Sequence, residues 1–65
     1  MSAEESLGKA ETLLARLEVA RARLEATDDP DQAIEVLQEL AELAREIESE
    51  LQRARRASEA DAADA

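Results

Sequence analysis

Apolar residues recur at alternating spacings of three and four along two stretches of this chain, which a polar segment at residues 26–32 separates. In the first stretch the repeat consists of Leu7, Ala10, Leu14, Leu17 and Leu24, with Leu13 and Ala20 beside it. In the second stretch the repeat is more regular and consists of Ala33, Leu37, Leu40, Ala44, Ile47, Leu51 and Ala54. Because this spacing places side chains on one side of a helix, the pattern predicts two amphipathic helices, each with a coiled-coil seam.

Local sequence signals indicate where the first helix begins and ends. Ser2 followed by Glu5 has the spacing of a capping box, in which the serine side chain accepts a hydrogen bond from a backbone N–H of the first turn. The first helix is therefore expected over residues 3–27, followed by a turn at residues 28–29.

The second helix has a start signal of its own. Pro30 disfavours helix in the residue before it and suits the first position of a new helix, which Asp29 can cap. The second helix is expected over residues 30–57. Residues 58–65 are acidic and rich in alanine, with no large apolar side chain to bury, so they are expected to form a disordered tail.

Two helices of similar length joined by a short turn pack antiparallel, so the predicted fold is an all-α, coiled-coil-like two-helix hairpin over residues 1–57. A chain of 65 residues with no aromatic residue has a thin core. The second helix is also apolar over a wider arc than one neighbour covers, because four residues flank its seam: Ile34, Val36, Ala41 and Leu43. We therefore expect the hairpin to be completed by self-association into a four-helix bundle or by docking on a partner's helices.

The residues expected to bind this partner combine the seam of the second helix with its flanks. They are Ile34, Val36, Leu37, Leu40, Ala41, Leu43, Ala44, Ile47 and Leu51. The partner is expected to be protein helices, either of a second copy in a homo-oligomer or of a larger subunit in a hetero-complex.

The composition argues against chemistry by this chain alone, because it has no His and no Cys. Four acidic residues on one side of the second helix could in principle hold a hard cation: Glu35, Glu39, Glu42 and Glu46. Di-iron sites in helical bundles also need a Glu-x-x-His pair, and these carboxylates lie away from the seam, so a solvated helix face is favoured over a metal site. We expect no catalytic residue, cofactor or metal.

The charge of the chain narrows the classes of partner. Seventeen acidic and eight basic residues give a net charge of -9, which repels nucleic-acid phosphates, so direct contact with DNA or RNA is not expected. A basic cluster near the end of the second helix is explained more simply by the helix dipole; it consists of Arg53, Arg55 and Arg56. Arg21 interrupts the first seam, where it could reach solvent, pair with an acidic residue of the second helix or fix the register. Neither a membrane span nor a signal peptide is expected, and a cytoplasmic location follows.

Short segments around the turn and along the second helix resemble a known family. They are Leu24-Glu25-Ala26-Thr27-Asp28, Asp31-Gln32-Ala33-Ile34, Leu43-Ala44-Arg45 and Leu51-Gln52-Arg53-Ala54. Over roughly residues 10–55 they are similar to the small subunit of bacterial exodeoxyribonuclease VII, although Thr27 stands where that family usually has Gly. The resemblance implies a hairpin that docks on long helices of a large catalytic subunit, in an enzyme that degrades single-stranded DNA. It also implies a docking stripe of Leu37, Leu40, Leu43, Ala44, Ile47 and Leu51.

The expected function is therefore a non-catalytic helical interaction subunit, and the resemblance makes the small subunit of a single-strand DNA exonuclease its specific form. The alternative is a self-associating hairpin whose partner is unknown. A melting temperature that depends on concentration without any partner would favour the alternative, whereas a poorly helical monomer would favour a foreign subunit. An autonomous metal-dependent enzyme is a third hypothesis, which would require stabilisation by a metal ion.

Overall fold

The structure is a computed structural model, which describes the backbone of residues 2–64 and the side chains of residues 2–60. Two helices, α1 (Ala3–Ala26) and α2 (Pro30–Asp64), account for nearly all of this part of the chain, and it contains no strand. The helices pack against each other along a molecule of 54 × 14 × 13 Å. The prediction of an all-α helical hairpin is confirmed.

The predicted caps are present at the start of both helices. The Ser2 side-chain oxygen accepts a hydrogen bond from the Glu5 backbone N–H at 3.1 Å. At the start of α2, a carboxylate oxygen of Asp29 accepts from the Asp31 N–H at 3.0 Å, and the Asp29 carbonyl accepts from the Ala33 N–H at 2.9 Å. These bonds satisfy backbone groups that have no partner within the helix, which is why each helix begins at the residue that the sequence indicates.

Helix α1 ends at Ala26, one residue before the expected end, because Thr27 leaves the helical conformation at φ -93° and ψ 124°. The Thr27 N–H donates to the Leu24 carbonyl at 3.2 Å, and its hydroxyl donates to the Arg23 carbonyl at 2.6 Å. Thr27 thus satisfies two carbonyls of the last turn. Only Thr27–Asp29 connect the helices, so α2 must return along α1.

The expected end of the second helix at Ala57 is corrected, because α2 continues to Asp64. The extension contains Ala60, Ala62 and Ala63 and neither Gly nor Pro, and alanine has the highest helix propensity. An ion pair between Arg55 and Glu59, at 3.1 Å and one helical turn apart, joins this extension to the preceding turn. The absence of a large apolar residue in residues 58–65 therefore does not end the helix.

On each helix, the residues of the seam between the helices follow an unbroken three-four spacing. On α1 the buried and half-buried residues are Ala3, Ser6, Ala10, Leu13, Leu17, Ala20, Leu24 and, at the cap, Thr27. On α2 they are Ala33, Val36, Leu40, Leu43, Ile47, Glu50, Ala54 and Ala57. The centre of the core is formed by Ala20, Val36 and Leu43, with Leu13, Leu17, Leu24 and Leu40 packed against them.

This seam differs from the expected one by a rotation of both helices. Leu7 and Leu14, which were expected on the seam of α1, are about half exposed, as are Leu37 and Leu51 on α2. Each lies one residue after a seam position, and because the alternate seam positions are shared with the expected seam, the seam turns by about 50° around the helix axis. The rotation keeps Arg21 out of the interior and buries Ala20 in its place, although it brings Glu50 onto the seam of α2.

The core is thin, as the composition indicates. The chain exposes 4947 Å² of surface, whereas a compact monomer of 7.1 kDa exposes about 4,100 Å². The buried apolar residues are Ala10, Ala20, Val36, Leu43 and Ala54, three of which are alanines. One layer of contacts between two helices therefore carries the fold, and much apolar side chain remains in solvent.

Candidate interaction surface

One long side of the hairpin carries a row of exposed aliphatic residues, which we call the apolar face. Its larger part, the outer stripe of α2, consists of Ile34, Leu37, Ala41, Ala44 and Leu51. Each of these residues directly follows a seam residue, as do Leu7 and Leu14 on α1. Because the helices are antiparallel and face each other through the seam, the residue after a seam position falls on the same side of the hairpin in both helices. Leu7 and Leu14 therefore lie on the same face as the outer stripe.

The outer stripe has the spacing of a second coiled-coil seam without a helix to cover it. Ile34 is 54% exposed, Leu37 51% and Leu51 47%, so each keeps about half of its side chain in water. Ala41 and Ala44 lie between them and are also exposed. Except at Glu48, apolar residues keep a three-four spacing over the 18 residues from Ile34 to Leu51, and such spacing is the pattern by which helices recognise other helices.

The nine residues predicted to bind a partner separate into two groups in the structure. Five of them form the outer stripe and are accessible. The other four lie between the two helices: Val36 and Leu43 are buried, and Leu40 and Ile47 are half-buried. The placement of Val36 and Leu43 on the flank of the seam is thus wrong, since α1 already covers both. Of the docking stripe implied by the family resemblance, Leu37, Ala44 and Leu51 are exposed, and the others lie between the two helices.

The opposite side of the hairpin is polar. Among the residues that directly precede seam positions, the basic ones on α1 are Lys9, Arg16 and Arg23, and the acidic ones on α2 are Glu35, Glu39, Glu42 and Glu46. An ion pair joins these rows where Arg23 donates to Glu39 at 3.2 Å. The acidic row therefore borders the seam and faces the basic residues of α1, and it does not lie opposite the seam as expected. Because both partners are about half exposed, this pair adds little stability but favours the observed register.

A shallow groove runs along the half of this polar side that lies away from the turn. Small residues leave it open, and Leu13 forms part of its floor. Its lining includes the basic residues Lys9, Arg16, Arg45 and Arg53 and the acidic residues Glu5, Glu46 and Glu50. The alternation of opposite charges leaves the groove close to neutral, so it does not select a ligand of one sign.

Arg21 lies on the apolar side of α1, in the half of the helix near the turn. Charged residues occupy this half, whereas leucines occupy the half farther from the turn. Arg21 donates to Glu18 at 3.2 Å and to Glu25 at 2.6 Å, both within its own helix. The hydrogen bond to Glu18 and the charge of Glu25 raise the pKa of Arg21 above its ordinary value. Of the three roles considered for Arg21, the structure thus shows the position at the solvent surface, with partners on α1 and not on α2.

The seam contains a charged residue that the apolar repeat does not indicate. Glu50 is 6% exposed and occupies a position where the apolar repeat predicts Leu51. Its carboxylate accepts from Arg53 at 3.2 Å, and Arg53 is largely exposed. Ser6, Ala10 and Ala54 are buried towards the same end of the hairpin. A run of small residues at seam spacing, Ala3, Ser6 and Ala10, is the signal that could have indicated where the seam runs at this end.

The basic cluster of Arg53, Arg55 and Arg56 lies about two turns before the end of α2 at Asp64, so its explanation by the helix dipole is wrong. Arg53 pairs with Glu50 and Arg55 pairs with Glu59, so two of its three members have acidic partners on their own helix. Among the side chains of residues 2–60, no three His, Cys, Asp or Glu residues are placed to hold a metal ion. Neither of the two helices, over their described residues, is long and apolar enough to cross a membrane.

Comparison of the chain with protein-family models, curated proteins and solved structures gives no match.

Proposed function

We propose that this protein is a non-catalytic helical interaction module, which acts in the cytoplasm by packing its apolar face against the helices of another polypeptide. The observation that supports this is the outer stripe of α2, in which Ile34, Leu37 and Leu51 remain about half exposed at coiled-coil spacing. Exposed aliphatic residues in a continuous row mark contact surfaces more often than residues scattered singly.

The free energy available from burying this face is modest. Burial of the exposed half of one leucine or isoleucine contributes about 1 kcal/mol. The large aliphatic residues of the apolar face are Leu7, Leu14, Ile34, Leu37 and Leu51. Together they supply roughly 5 kcal/mol, which is comparable to the lower estimates of the cost of association. The partner must therefore match the stripe closely along its length.

One specific form of this function is the small subunit of a single-strand DNA exonuclease, which the sequence resemblance supports. In that form the large subunit's helices would cover Leu37, Ala44 and Leu51. Mixing the chain with a purified large subunit of exodeoxyribonuclease VII would then give a stable complex that degrades single-stranded DNA, and Leu37→Glu would weaken it. Failure of the wild-type chain to bind the large subunit would remove this form of the proposal.

The general proposal is tested by photo-crosslinking in living cells. A photoreactive amino acid is placed at Ala41, in the middle of the outer stripe, and for comparison at Val19. Val19 is an exposed aliphatic residue, 62% accessible, that directly precedes the seam residue Ala20 and so lies on the polar side. Irradiation should give an adduct of discrete mass from position 41, which Leu37→Glu removes, and none from position 19. Equal crosslinking from both positions, or none from position 41, would contradict the proposal.

A further inference from the structure

We infer that the outer stripe is a homodimer interface, in which a second copy of this chain packs its α2 antiparallel against the first. This inference rests on the proposed function and names the partner. It is carried by the order of side-chain sizes along the stripe and by the charges at its two ends.

The sizes along the stripe read nearly the same in both directions. Large residues, Ile34 and Leu51, stand at its ends, and the two alanines, Ala41 and Ala44, stand in its middle. When two copies run antiparallel, Ile34 of each faces Leu51 of the other, Leu37 faces Glu48, and Ala41 faces Ala44. The alanines then allow the two helices to approach where they cross, and the large residues fill the space on either side. An isologous contact of this kind needs a self-complementary surface, which the stripe provides.

The charges next to the stripe select the antiparallel direction. Asp31 lies at one end and Arg55 at the other, and Arg55 is exposed apart from its ion pair with Glu59. Antiparallel packing places each Asp31 near the second copy's Arg55. Parallel packing would instead place Asp31 against Asp31 and Arg55 against Arg55, and like charges in contact are unfavourable.

One charged residue, Glu48, interrupts the stripe between Ala44 and Leu51. In the antiparallel register that pairs Ile34 with Leu51 it faces Leu37 of the second copy, and the amide of the neighbouring Gln38 can donate to its carboxylate. In a parallel dimer the two Glu48 carboxylates would face each other. A single polar residue in an apolar seam commonly fixes register and direction, and Glu48 has that role in this arrangement.

The carboxylates in the α1 part of the apolar face explain why α2, and not α1, forms the dimer contact. On α1 the row alternates leucine or arginine with carboxylates, which are Glu4, Glu11, Glu18 and Glu25. Two copies of this row side by side would bring carboxylates together in both directions. The α2 row has only Glu48 and Arg55 within the same span, so the helices that meet are the two copies of α2.

Sedimentation of the full chain across a hundredfold range of concentration tests the dimer. The expected result is a monomer–dimer equilibrium for the wild type, with a dissociation constant that Leu37→Glu raises by at least about tenfold. Val19→Glu introduces the same charge on the polar side and should leave the constant unchanged. A wild-type chain that is monomeric and helical throughout the range would overturn the inference, as would equal weakening by both substitutions.

Disulfide trapping tests the direction. The chain has no Cys, so two single-cysteine variants, Ile34→Cys and Leu51→Cys, can be mixed in equal amounts and oxidised. Antiparallel packing should give predominantly the mixed 34–51 disulfide, because identical positions are separated by about 25 Å along the helices. A predominance of 34–34 and 51–51 disulfides would overturn the antiparallel arrangement.

The two proposals fail in different ways. A monomeric chain that still crosslinks from position 41 to a different protein in cells would refute the homodimer and leave the interaction module in place. A chain that neither dimerises nor crosslinks from position 41 would refute both.

Discussion

Two leucines of α2 that lie six residues apart should respond very differently to truncation, because only one of them is in the core. Leu43 is 7% exposed and Leu37 is 51% exposed. Replacing leucine by alanine removes three carbons, which are worth about 0.8 kcal/mol each when fully buried. Leu43→Ala therefore loses about 2 kcal/mol of transfer free energy, and the cavity that it leaves raises the loss in the free energy of unfolding to about 3 kcal/mol. Leu37→Ala leaves no cavity and should lose about 1 kcal/mol.

The measurement is thermal unfolding followed by helical circular dichroism, at a concentration where sedimentation shows the chain to be monomeric. For a domain near this size 1 kcal/mol corresponds to about 4–8 °C in melting temperature. Leu43→Ala should lower the melting temperature by more than about 10 °C, and Leu37→Ala by about 5 °C. The concentration must be controlled because any dimer would add its own stabilisation at Leu37. Equal shifts, or a larger shift for Leu37→Ala, would show that the seam runs through Leu37 and refute the assignment of the two faces.

Three further substitutions test local features of the hairpin. Gly8→Ala should raise the free energy of unfolding by about 1 kcal/mol in urea titration, since Gly8 is helical and an added Cβ meets no atom within 4 Å. Glu50→Leu should raise the melting temperature, because it replaces a carboxylate on the seam by an apolar group of similar size; a lower value would mean that the Arg53 pair is needed. Ser2→Ala should lower stability by about 1 kcal/mol through loss of the cap on α1, whereas Ser2→Asp should preserve it.

The helices and their direction could be read from the sequence because their signals are local. Ser2 caps α1 and Asp29 caps α2 through bonds to residues two to four positions away, and Pro30 acts on its own neighbours. A connection as short as Thr27–Asp29 leaves only the antiparallel hairpin. The exception is the end of α2, which the sequence places at Ala57 and the structure at Asp64, because helix continues without a buried apolar residue when propensity is high.

The rotation of each helix about its axis could not be read from the sequence. Two apolar stripes overlap on α2 and share half of their positions, including Leu40 and Ile47. The first stripe also contains Leu37 and Leu51, and the second also contains Leu43 and Glu50. By hydrophobicity alone the first stripe is the better seam, and it was the one predicted. The structure uses the second, so Leu37, Ala44 and Leu51 of the first stripe fall on the outer stripe.

The sequence by itself thus determined an acidic helical hairpin with more apolar surface than one helix pair covers. Only the tertiary structure decided which part of that surface is left for a partner. The reason is that the two helices together determine the seam. Burying Ala20 keeps Arg21 at the surface, where it pairs with Glu18 and Glu25. Helix α2 is turned in the same sense, so that Leu43 packs with Ala20 in the core. That match depends on contacts between the two helices, which cannot be inferred from the periodicity of one helix.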